Sequence, residues 1–533
     1  MRERAAPNPY APWSTLGELI RARALARPDG VRIAIDGRTL TYAELDAQSD
    51  RVAQNLRAAG VRKGDRVACL MFNCVEQLLV WIGTVKIGAV WVPINASVAG
   101  NDLQHVLDDA SPSLIFIDDD NEPKLDAVRF DGLQVKVGRV STHGRGGFEQ
   151  FLREHEPIER EAAIAPGDPA VILYTGGTTG LPKGVVLPHF AWIAAGMRYV
   201  EALGITAGDR HYSVLPMFHV GGLMAGLIGP IYADIPTTLD RWFSASAFWQ
   251  RVNDTGATVV DPIGTMFAVL AKSPPHALER SHRVRVATGA FGQLPWDTVQ
   301  GFADRFGIGF VNLYSLSEGG GLMIVNNPLG STKPQSNGRA SRWVDIMIAD
   351  AQGFPAPAGV QGEILLRPRI PHTFMLGYHN APERTAQVLQ GLWLHTGDLG
   401  HLDEEGYLYF TGRQAHFLRR RGENISAHEV EAVVATCPGV FEVAVVGVPS
   451  DLGEDDVKAF VIASPNATPD PRAVFDWCRE RLAYFKVPRY VEFVADFPRS
   501  AAKREIERHK LKALPHDAAW DAEKVVGRLT AKR

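Results

Sequence analysis

From residue 41 onward, apolar and polar positions fall into short runs that predict strands and helices in turn. Thr41-Tyr-Ala-Glu44 sets a hydroxyl and a carboxylate three residues apart, the spacing at which each side chain caps the other's backbone amide. Leu45, Val52, Ala53 and Leu56 then recur at helical spacing, which predicts a helix with one apolar side. A turn at Lys63-Gly-Asp65 leads to an apolar run over 67–72, read as a strand. A helix follows over Val75–Lys86, then a second strand over 89–93. Strand, helix and strand at short spacing predict parallel sheets covered by helices. The same texture recurs around 171–200, 212–240 and 257–315.

Near residue 412 the texture changes. Residues 406–410 read as a short strand ended by Thr411-Gly412-Arg413. Ser426-Ala-His-Glu429 is a second capping-box pattern, opening a helix with Val430, Val433 and Val434 inward, and 441–446 alternates like a strand. The prediction is an α/β chain: a large N-terminal domain of parallel-rich sheets packed with helices (1–415), and a small mobile C-terminal α+β domain (416–533).

Composition narrows the function classes. A chain of 533 residues is too long for one ordinary core, and 46% apolar with 22% charged residues suits a soluble enzyme. A net charge of −4 gives no electrostatic case for nucleic acid or an anionic membrane. No run of about 18 apolar residues is present, and Met1-Arg-Glu-Arg opens no secretory core. Cys69, Cys74, Cys437 and Cys478 lack metal-ligand spacing and are expected as buried small hydrophobes. The expected location is the cytoplasm.

The chemistry begins at Tyr174-Thr-Gly-Gly-Thr-Thr-Gly-Leu-Pro-Lys-Gly184, which follows a short apolar strand. Glycines let backbone N–H groups turn toward one point, and Thr175, Thr178, Thr179 and Lys183 add donors around Gly176 and Gly177, a cradle for phosphate oxygens. The plain alternative is a surface hairpin loop. The segment resembles the phosphate loop of the adenylate-forming superfamily of acyl-CoA ligases, carrier-protein adenylation domains and luciferases, with Gly176 where that family usually has serine.

The resemblance extends from about residue 15 to 515 and assigns expected roles. Tyr314-Ser-Leu-Ser-Glu318 resembles the family's Tyr-Gly-x-Thr-Glu: Glu318 becomes the Mg2+ ligand, Ser317 a phosphate neighbour and Tyr314 the adenine-stacking ring, with Ser315 in place of a glycine at the acyl pocket floor. Thr288-Gly289-Ala290-Phe291 falls where the family packs its adenine pocket. Trp393-Leu-His-Thr-Gly-Asp398 and Gly412-Arg413 resemble the ribose-binding pair Asp398 and Arg413. His219, in Met217-Phe-His-Val-Gly-Gly222, falls where a histidine or aromatic gates the acyl and pantetheine tunnels; a core histidine is the alternative. His416 takes the hinge position, and Gly422 is retained in the loop brought in for thiol attack, where only glycine leaves room for pantetheine. The implied small molecules are ATP or AMP, CoA, a carboxylic acid or its adenylate and, for adenylation, Mg2+.

One family feature is missing. The C-terminal loop usually carries a lysine that touches both carboxylate and α-phosphate during adenylation. In Phe497-Pro-Arg-Ser-Ala-Ala-Lys-Arg-Glu-Ile-Glu-Arg-His-Lys-Leu511, counting forward puts that position on Arg504, and counting back from Ile506 puts it on Glu505. Lys503 fits only if the loop is re-registered. Losing such a cation commonly costs about 100- to 1000-fold in rate, and a glutamate adds repulsion. The expectation is an acyl-CoA ligase that performs thioesterification well and adenylation poorly, fed by a partner ligase. A complete ligase, in which Lys503 or Arg504 substitutes, stays open. So does an enzyme loading a carrier protein, although Asp261-Pro-Ile-Gly-Thr-Met266 looks more like the acyl-CoA ligase pattern. Expected acyl-pocket residues are His219, Ile263, Met266, Phe267, Thr288, Phe291 and Ser315, with no lysine or arginine among them. They predict a bulky, mostly apolar acid, of the kind found in secondary metabolism.

Overall fold

The computed structural model describes residues 9–30, 33–137, 147–154, 164–177, 180–289, 296–325, 333, 335–413, 417–420, 423–450, 455–465, 467, 470–482, 485–499, 506–515 and 518–526. The first predicted helix forms as Tyr42–Ala58, with its capping box closed in both directions between Thr41 and Glu44. Its buried residues include Leu45, Val52, Ala53 and Leu56, as the spacing required. The predicted strands form as Arg66–Leu70 and Val90–Ile94, paired in parallel with Val67 opposite Trp91 and linked by the helix Val75–Lys86.

Among the described residues the strands form four sheets. A seven-stranded sheet runs from Leu133–Val137 through Arg66–Leu70 and Val90–Ile94 to the hairpin Pro169–Gly177 and Gly180–Pro188. A fourteen-stranded sheet joins a parallel half, which includes His211–Ser213, Val286–Gly289 and Gly309–Leu316, to an antiparallel half that ends beyond Trp393–Leu402 and Tyr407–Arg413. The helix His189–Leu203 lies between the sheets, with thirteen of its fifteen residues buried. An all-round apolar helix of this kind needs a surface on each side.

His189 opens that helix and is fully buried. Burial pushes its imidazole down to about 4, against an opposing pull from Asp168. The folded chain therefore resists a proton that the unfolded chain accepts near pH 6.5. Its stabilising contribution is present above pH 6.5 and is lost as pH falls toward 4, by roughly 3 kcal/mol over that window. Urea unfolding at pH 7 and pH 5 should show this loss, and His189→Asn should flatten it.

The C-terminal segment departs in two details. Ser426 does precede the helix Ala427–Ala435, but the second capping box does not close. Its hydroxyl donates instead to the Thr411 carbonyl at 3.0 Å, and Glu429 pairs with Lys486. The strand around 441–446 forms as Val440–Pro449, buried without a break from Val443 to Val448. It does not alternate because both faces are covered: Val443 and Val445 pack with Val430 and Phe475, while Ala444, Val446 and Val448 pack with Phe497 and Leu511.

Candidate active site

A cavity of about 740 Å³ opens where the two large sheets approach one another, a size suited to a small-molecule site. The hairpin contributes Thr175 and Lys183, which stand opposite each other across its two strands. The predicted phosphate loop is thus built on a hairpin, yet its donors face a cavity rather than the surface. Thr178 and Thr179 lie outside the described residues, as do Ala290, Phe291, His416, Gly422, Lys503, Arg504 and Glu505. Gly176 and Gly177 end the first hairpin strand; of Arg413 only the backbone is described, in register with Asp398.

The parallel strand Gly309–Leu316 changes partner and bulges between Tyr314 and Ser315 as it reaches the cavity. Ser315 lines the cavity, and so do Ser317 and Glu318 just beyond the strand, with Thr288 and Gly289 at the end of the neighbouring strand. Glu318 accepts a hydrogen bond from the Tyr378 hydroxyl at 2.8 Å, and the Lys183 ammonium sits 4.7 Å from the centre of the same ring. Burial, then the Glu318 charge, holds the Tyr378 phenol well above the usual range, so it stays a donor. Arg384 also lines this end, so the cavity mouth holds two cations.

Asp398 is 3% exposed and accepts from the Tyr314 hydroxyl at 2.7 Å. The Tyr314 ring is buried against Phe410, 6.0 Å between centres. The turn before Asp398 is set by a residue that the sequence did not single out. Glu363 accepts from the Gly397 N–H at 3.0 Å and meets His395 Nδ1 at 2.9 Å. Gly397 itself has φ of +69°, a conformation that favours glycine.

His219 lines the cavity and caps the short helix Val220–Leu223, its Nδ1 accepting from the Gly221 N–H at 3.1 Å. That bond leaves Nδ1 without a proton. The turn before it is clamped by buried Asn73, which donates to the Leu215 carbonyl and accepts from the Met217 N–H. Gly222 closes the turn: a Cβ there would fall 2.2 Å from the Pro216 carbonyl oxygen, the group that accepts from the His219 N–H. Gly222→Ala should therefore displace His219 and cost about 1–3 kcal/mol, readable as a lowered melting temperature together with reduced turnover.

The acyl-pocket expectation holds in part. Ile263 lines the cavity, but Met266 and Phe267 are not among its lining residues. Phe267 is fully buried against Phe302 and Phe310, and Met266 packs on the same cluster. Ile263 stands outside the helix Gly264–Lys272, as its N-cap in extended backbone, whereas Met266 and Phe267 lie within the helix and pack into that cluster. Tyr199, Met224 and Asp261 line the cavity instead. Periodicity marks residues such as Tyr199 only as core; Asp261 in an otherwise apolar strand was the one available signal.

Residues 20–379 match the family model described as AMP-binding enzyme, and residues 429–504 match its C-terminal domain. The chain belongs to the AMP-binding enzyme family. Within that family it is an AMP-forming acid–thiol ligase of the acyl-CoA synthetase type. It is 32% identical over 479 residues to the crotonobetaine/carnitine–CoA ligase of Escherichia coli O8 (strain IAI1), covering 88% of this chain and 92% of that one. Its fold matches the anthranilate CoA ligase AuaEII in complex with anthranoyl-AMP, with a TM-score of 0.85, 26% identity and 94% and 96% of the two chains covered. It also matches O-succinylbenzoate coenzyme A synthetase from Bacillus subtilis in complex with ATP and magnesium ion, with a TM-score of 0.81, 28% identity and 93% and 99% covered. Among the described residues, no helix is long and apolar enough to cross a membrane.

Proposed function

We propose that this ligase converts the adenylate of a bulky, mostly apolar carboxylic acid and CoA into acyl-CoA and AMP, and that its own ATP-dependent adenylation is impaired. The observation that carries the reading is the absence of a lysine at Arg504 and Glu505. What supports it in the fold is the way both ends of that loop are pinned. Arg499 and Ile506 bridge to each other, and the Glu507 N–H donates to the Pro498 carbonyl at 2.8 Å. Arg508 is tied to the half-buried-to-buried Glu431 at 2.7 Å.

The remaining roles belong to the same reading. Thr175, Lys183 and Ser317 supply donors to phosphate oxygens, and Asp398, with Arg413 opposite, takes the ribose hydroxyls. Tyr314 braces Asp398 and closes the adenine side. Mg2+, when bound, would be held by Glu318 and would neutralise polyphosphate charge; a carboxylate with hydroxyl oxygens of Thr175 and Ser317 on the same cavity is an oxygen donor set that fits it. In thioester formation the CoA thiol gives up its proton to solvent, its sulfur bonds to the acyl carbon, the acyl–oxygen bond to phosphate breaks, and AMP leaves with the electron pair. No ammonium has to bridge two anions in this step. His219 stands where acyl and pantetheine portions meet, and Gly422 and the hinge at His416 serve the domain rotation that brings thiol to adenylate.

The test has two arms: acid, ATP and CoA in one, synthetic acyl-AMP and CoA in the other. Acyl-CoA should form about 100- to 1000-fold faster in the second. Equal rates would show a complete ligase in which Lys503 or Arg504 supplies the cation, and would remove any need for a partner that delivers adenylate.

A further inference from the structure

The deep end of the cavity is apolar except for one cluster. Asp261 is 2% exposed and lines the cavity from the end of the strand Val259–Val260. Its Oδ2 accepts from the Ser213 hydroxyl at 2.9 Å, while its Oδ1 is buried with no hydrogen-bond partner. Tyr199, 1% exposed, lines the same end, and its hydroxyl is also buried and unpaired. Burial, followed by the Asp261 charge, keeps that phenol protonated.

His211 completes the group. Its ring meets Tyr199 edge-on at 5.9 Å, and its Nε2 lies 3.6 Å from Asp261 Oδ2, beyond hydrogen-bond distance. The Thr237 hydroxyl proton already goes to the Gly226 carbonyl at 2.8 Å. Thr237 must then accept from His211 Nδ1, 3.1 Å away, which leaves Nε2 as a third buried polar atom without a partner.

Three buried polar atoms in one cluster, on Asp261 and Tyr199 at the cavity wall and on His211 behind them, lack hydrogen-bond partners, which is costly. Clusters of this kind are retained where something else completes them. No lysine or arginine lines this end; Arg285, just before the strand Val286–Gly289, is spent on Asp209. An unpaired carboxylate oxygen asks for an N–H or O–H donor, and repels a second acid group.

We propose that Asp261, with Tyr199 beside it, forms a specificity subsite for a hydroxyl or amino group at the end of the acyl portion remote from its carboxyl. This rests on reading the deep end as the acyl pocket. It refines the substrate from a mostly apolar acid to an apolar body with a hydrogen-bond-donating tip. Asp261 accepts from the donor through Oδ1, and the Tyr199 hydroxyl donates to a hydroxyl tip or, for an ammonium tip, presents its ring.

The test uses the full chain, CoA and matched synthetic acyl-adenylates: a parent aryl or alkyl acid, its remote-hydroxyl analogue and its remote-amino analogue. The native enzyme should prefer one donor-bearing adenylate over the parent by about 10- to 100-fold in kcat/KM. The two analogues tell a neutral from a cationic tip. Asp261→Ala should collapse that ratio to within about threefold, and Tyr199→Phe, which removes a single oxygen, should lower it for the hydroxyl analogue. A purely structural role for Asp261 would slow all adenylates alike and leave the ratio in place, which would overturn the subsite. Equal use of all three by the native enzyme would overturn it too, while leaving the ligase reading intact. Failure on every adenylate would overturn both.

Discussion

Glu505→Lys, or Arg504→Lys where the forward count holds, should raise ATP-dependent pyrophosphate release by about 100-fold while changing thioester formation from supplied acyl-AMP by less than about threefold. The argument is electrostatic. Adenylation drives a carboxylate oxygen onto an α-phosphate, and both carry negative charge. Two unit charges 4 Å apart interact by about 4 kcal/mol at an effective dielectric constant of 20. A cation between them offsets that repulsion as it grows along the reaction, which is catalysis by differential binding. A carboxylate in the same place adds to it. Pyrophosphate release as fast in the unmodified enzyme as in the lysine variant would refute the split-step reading. The two half-reactions must be read separately, because overall acyl-CoA yield cannot say which step moved.

Asp398→Ala should raise KM for the acyl-adenylate by roughly 100-fold, since hydrogen bonds to a buried carboxylate contribute about 1.5–3 kcal/mol each. The substitution also removes the carboxylate to which the buried Tyr314 hydroxyl donates at 2.7 Å. Tyr314→Phe should have a smaller effect, about 5- to 10-fold, because the carboxylate keeps its place on the strand opposite Arg413. The double variant should cost less than the two single effects multiplied together, the sign of one shared network. Additive effects would show that Tyr314 does not position Asp398. An unchanged KM in Asp398→Ala would remove the ribose assignment.

The motifs were legible for different reasons. The candidate phosphate loop, Glu318 and Asp398 are nominated from sequence because glycine, threonine and acid side chains at fixed local spacing leave few other uses. Local spacing is also why the capping box at Thr41–Glu44 formed as read. The same pattern at Ser426–Glu429 failed because Thr411, fifteen residues earlier, offered the serine a different acceptor. Met266 and Phe267 look like pocket residues in a linear string, yet the helix turns them into the cluster around Phe302.

What the sequence determined by itself was the α/β texture and the family, since each depends on neighbours along the chain. Only the tertiary structure decided which apolar positions line the cavity, that Glu363 fixes the turn before Asp398, and that Asp261, Tyr199 and His211 meet at one blind end. Asp261, Tyr199 and His211 are separated by 12 to 62 positions, and nothing in a linear pattern brings them together. Their meeting depends on strand order and helix rotation, which packing of the whole sheet sets.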